Sequence, residues 1–105
     1  MSIYPVSIPV VAHVGRATAR GYLVELANVY AGSVLEHAAA IITWRALCAE
    51  RRASAAATTC PRLRALYTRS ACRAAAYIGA SVRDMRRAAA GYNDVRAVLA
   101  TIPNG

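Results

Sequence analysis

The sequence predicts an all-α protein: two long antiparallel helices plus a short third helix, dimerising into a four-helix-bundle-like assembly. Three observations lead there. Apolar residues recur at helical spacing through residues 17–52 and again through 61–90, in a chain rich in alanine. The four prolines, Pro5, Pro9, Pro61 and Pro103, all fall outside these two segments or at a first turn. The apolar residues of the first segment also wrap so much of its circumference that one other helix cannot cover it. At 105 residues the chain is one helical domain or one protomer of an oligomer.

Residues 1–14 (MSIYPVSIPVVAHV) read as an extended arm, because Pro5 and Pro9 forbid a helix interior or a central strand. The arm is expected to pack across a neighbouring surface. Gly15 and Gly21 punctuate the approach to the first helix, predicted over 17–52. Leu23, Leu26, Val29, Tyr30, Val34, Leu35, Ile41, Ile42, Trp44 and Leu47 leave only a thin polar strip of Glu25, Asn28, Ser33, Glu36 and Thr43. Gly32 and the alanines at 38–40 would let another helix come close. Residues 53–60 (ASAAATTC) suit a connection, with Thr59 or Cys60 as N-cap and Pro61 in the first turn of a helix over 61–90. Its apolar face is Leu63, Leu66, Tyr67, Ala74, Tyr77, Ile78, Met85 and Ala88. Gly91 is expected to stop that helix and Asn93 to cap a short third one over 94–101.

The chain carries 13 basic and 5 acidic residues, a net charge of +8, with a pI near 10.3. Every basic residue is arginine, whose planar fork of donors matches phosphate oxygens. The balance points to a polyanionic partner. On a helix over 61–90, Arg62, Arg69, Arg73, Arg83 and Arg87 fall within roughly an 80° arc and run about 38 Å along the axis. Arg64 and Arg86 lie in the same stretch, which holds one acid, Asp84. Like charges four apart, Arg69 with Arg73 and Arg83 with Arg87, repel one another. The missing counter-charge therefore fits a partner, and the length and sign fit a nucleic-acid backbone. The candidate nucleic-acid site is Arg62, Arg69, Arg73, Arg83, Arg86 and Arg87. Ala76 and Ala80, midway along the stripe, would let the helix backbone approach a surface closely. Tyr67, Tyr77 and Tyr92 fall on the apolar face, so core packing takes precedence over base stacking, and recognition is expected to be of backbone shape and charge.

Enzymatic constellations are not found. No Ser–His–Asp set, glycine-rich phosphate loop or paired-carboxylate motif stands out, and Glu36 and His37 point to different sides of a helix. No catalytic residue, cofactor or small-molecule substrate is expected. Cys48, Cys60 and Cys72 are twelve residues apart, too widely spaced for a zinc knuckle, so no metal site is assigned. Their odd number points to a reducing, cytoplasmic setting. No signal peptide is evident, and charges scattered through residues 21–47 count against a membrane span.

The order of long helix, connection, proline-started basic helix and short capped helix resembles the nodavirus suppressors of RNA silencing. The similarity covers about residues 45–100. It is carried by Pro61 opening the second helix, Met85 late in it, and Asp94-Val95-Arg96-Ala97-Val98-Leu99 at the place of that family's short third helix. The resemblance implies a small dimeric helical protein that binds double-stranded RNA and shields it from the host's Dicer and Argonaute machinery. It implies phosphate and ribose contacts from basic residues of the second helix, a role for Arg69, Arg73, Arg83 and Arg87. In the alignment that joins Pro61 and Met85, one expected basic position falls on Asp84.

The function expected is thus sequence-independent binding of double-stranded RNA by a viral homodimer acting in the host cytoplasm, its paired basic helices forming a flat positive face. Two rivals remain open at this point. One is a helical coat or nucleocapsid subunit, favoured by the arm; the other is a membrane-active amphipathic protein whose arginines meet anionic lipid. Phosphates look alike in RNA and DNA, so the choice of duplex is open as well.

Overall fold

The computed structural model describes residues 15–102, with side chains from residue 18 onward; the expected arm, residues 1–14, lies outside the described residues. Two long helices make up almost all of it, α1 over Gly15–Ala57 and α2 over Pro61–Thr101. Among the described residues there is no strand.

Both helices run further than their sequence patterns predict. α1 continues past residue 52 through Ala53-Ser54-Ala55-Ala56-Ala57. Those small residues carry no periodicity, yet alanine has the highest intrinsic helix propensity. The Thr58 N–H still donates to the Ser54 carbonyl at 3.1 Å, and only then does the chain leave the helix. Two β-branched threonines and the residue before a proline follow, none of which favours another helical turn. The connection is therefore residues 58–60. Thr58 Oγ1 accepts from the Cys60 N–H at 3.2 Å, and the Cys60 carbonyl accepts the first bond of α2, from the Arg64 N–H at 3.0 Å. Cys60 thus holds the N-cap place, with Pro61 at the first helical position where its missing N–H costs nothing.

The separate third helix over 94–101 is not formed: those residues are the final turns of α2, which does not stop at residue 90. Gly91 costs about 1 kcal/mol of helix propensity relative to alanine, but its role is spatial. A Cβ at Gly91 would lie 2.5 Å from the Tyr30 ring, so the absent side chain makes room for that aromatic. Beyond it, Val95 and Leu99 are buried one turn apart and hold the helix to its end.

The chain divides into two compact units, Ser33–Arg87 on the one hand, and the chain up to Gly32 together with that from Ala88 on the other. In this second unit, the end unit, Leu23, Leu26 and Ala27 of α1 form a core cluster with Val95 and Leu99 of α2. The spacing of three and four residues on each helix puts these side chains on one face. Tyr22, Tyr30, Tyr92 and Ile102 pack around them.

The turn unit, Ser33–Arg87, is built from smaller side chains. Cys48, Ala71 and Ala74 are its buried cluster, flanked by Trp44 and Ile78. Arg51 meets Ser70, Cys48 meets Ala71 and Trp44 meets Tyr77, so the two helices run antiparallel here. Small residues at the contact permit a close approach: the Cys48 thiol donates to the Ala71 backbone carbonyl at 3.5 Å. The wide apolar coat of α1 is covered only in part. Ile41 is buried, whereas Leu35 and Ile42 are each 70% exposed. Gly32, expected to favour close helix approach, has no atom within 4 Å of where its Cβ would stand.

Candidate nucleic-acid interface

The candidate arginines all lie in the turn unit, on α2. Because that segment is one unbroken helix, the predicted stripe is real in register. Arg62, Arg69, Arg73, Arg83 and Arg87 are all exposed, as is Arg86 beside them. The buried positions of the same helix, Ala71 and Ala74, lie roughly half a turn away around its axis. The backbone positions of the stripe therefore lie on the side of α2 away from α1, while the Arg69 and Arg73 side chains also reach a recess that Arg51 of α1 shares.

No acid neutralises it. Among the described residues the one ion pair is Arg51 with its neighbour Glu50, at 3.5 Å. Asp84, the single acid in the stretch, forms no ion pair with Arg83 or Arg87. Ala76 is exposed and Ala80 half-buried, which keeps the middle of the stripe low, as its small residues imply. The Arg83 guanidinium lies over Gly79, within 3.7 Å of the place its Cβ would occupy.

Arg64 has a different task. Its guanidinium donates to the Thr58 backbone carbonyl at 2.9 Å. That carbonyl sits just past the end of α1, where intrahelical partners run out. Arg64 ties the turn and is not part of the stripe.

One residue of the positive surface was not visible in the helix pattern. Arg51 of α1 joins Arg69 and Arg73 of α2 around a recess of about 370 Å³, completed by Leu66, Tyr67 and Ser70. Its Nε donates to Ser70 Oγ at 3.2 Å, which fixes the head of the side chain at the rim. Three guanidinium groups about one concavity suit an oxyanion that accepts paired hydrogen bonds. Only the antiparallel register of the two helices brings Arg51 there; nothing in the spacing of α1 announces it.

The tyrosines divide. Tyr92 packs against the end-unit core, as the apolar face requires. Tyr67 is half-buried in the recess. Tyr77 stays 46% exposed while its ring lies 4.7 Å from that of Trp44.

Cys48 is buried, Cys60 and Cys72 are exposed and all three are free thiols. Among the described residues no three His, Cys, Asp or Glu side chains are placed to hold a metal ion, and no helix is long and apolar enough to cross a membrane. Comparison with known proteins adds no relative: no family model, no curated protein and no solved structure matches the chain.

Proposed function

We propose that the protein binds double-stranded RNA without regard to sequence through the arginine stripe of α2, and that it acts as a homodimer that suppresses RNA silencing by shielding the duplex in the cytoplasm. The observation that carries this reading is a line of five exposed arginines free of acidic partners. Its length of about 38 Å suits a helix laid along one face of an A-form duplex, where it can reach two successive backbone crossings. Recognition by arginine of phosphate position and duplex shape needs no base edges, which agrees with tyrosines engaged in packing. The resemblance to nodavirus suppressors, which now rests on Pro61 and Met85 because Asp94–Leu99 continue α2, points to the same partner. Two chains joined through the uncovered side of α1 would make a four-helix assembly with two stripes.

The test is duplex binding as a function of salt. Replacing Arg69 and Arg73 by alanine removes roughly two phosphate contacts, so log K should fall and the slope against log salt should flatten by about two. Helicity by circular dichroism should be unchanged, because both side chains are exposed. Equal affinity for the wild type and the double variant would reduce the stripe to a solvated face. A parallel series on double-stranded DNA and single-stranded RNA decides the class of nucleic acid. The nucleocapsid reading is favoured by one observation, the 70% exposure of Leu35 and Ile42; a discrete dimer in solution would set it aside.

A further inference from the structure

The exposed apolar residues of α1 in the turn unit are not scattered. Leu35, Ile42, Ala49 and Ala56 follow one another at intervals of seven, and Ala39, Ala46 and Ala53 fill the alternate places of the same heptad. All seven are exposed, with Leu35 and Ile42 at 70%. They form a seam about 32 Å long. Intervals of three and four over three heptads are the pattern of a helix that wraps a like helix. The seam lies about 120° around α1 from Ile41 and Cys48, the residues it buries.

The flanks of the seam carry opposite charge. On one side, in the place just after the Leu35 row, stand Glu36, Thr43 and Glu50; on the other, just before the Ala39 row, stand Ala38, Arg45 and Arg52. Glu36, Glu50, Arg45 and Arg52 are all exposed. Glu50 leans on Arg51 at 3.5 Å but keeps 65% of its side chain in solvent. In a parallel helix pair these two flanks face each other, each basic place meeting the acidic place five residues further along the other chain. Arg45 then meets Glu50 of the second copy, twice by symmetry. In an antiparallel pair each flank meets its own kind, arginine against arginine and glutamate against glutamate.

We infer that the seam is the docking surface for a second copy of this chain, and that two copies pair through α1 in parallel and in register. The inference rests on the dimer of the proposed function and not on its nucleic-acid partner. It also revises the expected geometry. The seam faces away from α2 and the arginine stripe faces away from α1, so parallel pairing leaves both stripes free on opposite sides of the dimer. Two separate positive faces then replace the single flat one, and one dimer can hold two duplex segments.

Sedimentation equilibrium on the full chain tests this. The wild type should run at twice the 11.1 kDa chain mass. Leu35→Asp with Ile42→Asp should run as a monomer with helical circular dichroism retained; a dimer of that variant overturns the seam. Arg45→Glu or Glu50→Arg alone should weaken the dimer roughly tenfold at low salt, and the two together should restore it to within about twofold. Single reversals that leave the dimer unchanged or tighten it overturn the parallel arrangement. An independent check uses Ala39→Cys and Ala53→Cys in turn, with Cys60 and Cys72 replaced by serine. Both should form an intermolecular disulfide under air oxidation, which an antiparallel pair allows at one of the two sites at most. Arg69→Ala with Arg73→Ala should remain dimeric. Loss of duplex binding by the wild type would sink the functional reading and leave the pairing standing.

Discussion

The end unit closes on leucine and valine ringed by tyrosines, whereas the turn unit brings its helices together on alanine and cysteine, with Ile41 as its one large buried side chain. In the first, Leu23, Leu26, Val95 and Leu99 are all buried with tyrosines packed around them. In the second, the most buried positions are Ala71 and Ala74, at 3% and 1%, while Leu35 and Ile42 stand in solvent. Burial is worth about 0.8 kcal/mol per CH₂, so the turn unit draws far less from its own core. It also carries the arginine stripe, the three-arginine recess and the heptad seam. Where the contact between two helices needs only small residues, the large and charged ones are released to outward faces. Outward charge and a thin core go together here, and a second copy on the proposed seam would supply burial that the turn unit lacks.

Two substitutions break that comparison from opposite sides. Leu26→Ala removes methylenes from the end-unit core and leaves a cavity, with an expected loss of about 3 kcal/mol. Urea unfolding followed by circular dichroism at fixed protein concentration measures it. A loss within about 0.5 kcal/mol of zero, the range of surface changes, would mean that the end unit does not rest on this cluster. In the turn unit the sensitive change is the reverse. Ala74→Leu forces a larger side chain against Cys48 and its neighbours, costing about 2 kcal/mol by overpacking, whereas the same change at exposed Ala75 stays within about 0.5 kcal/mol. If both alanines tolerated leucine equally, small size would not be what lets the helices meet. That outcome would remove the contrast between the units.

The stripe was legible in the sequence because it needs only one helix and its 3.6-residue period. Helix ends were less so. Gly91 followed by Asn93 carries the chemistry of a stop and a new cap, and that reading is sound until Tyr30 is placed: the ring needs a residue without Cβ, and Val95 and Leu99 hold the turns beyond. The small and polar residues 53–60 read as a connection, yet alanine propensity carries α1 through residue 57. Arg51 was invisible for another reason. Its place beside Arg69 and Arg73 depends on the register between helices, which no single-helix pattern encodes. The wide apolar arc of α1 is legible in the sequence, and Val24, Val29, Leu35 and Ile42 are its large side chains that α2 leaves exposed.

The smallest expected effect separates two arginines within the turn unit. Arg64 and Arg69 are both exposed, five residues apart on α2, and composition alone cannot tell them apart. Arg64 donates to the Thr58 carbonyl at 2.9 Å, whereas Arg69 stands at the recess without an acid. Solvent competes for an exposed bond of this kind, so Arg64→Ala should cost at the low end of a hydrogen bond's worth, about 0.5 kcal/mol. Its salt slope for duplex binding should stay near that of the wild type. Arg69→Ala should do the opposite, leaving the urea midpoint in place and lowering the slope by about one. Measured together, the pair distinguishes charge placed for the fold from charge placed for a partner. Equal slopes for the two variants would mean that the positive surface acts through net charge alone, and the stripe's register would then have no bearing on binding.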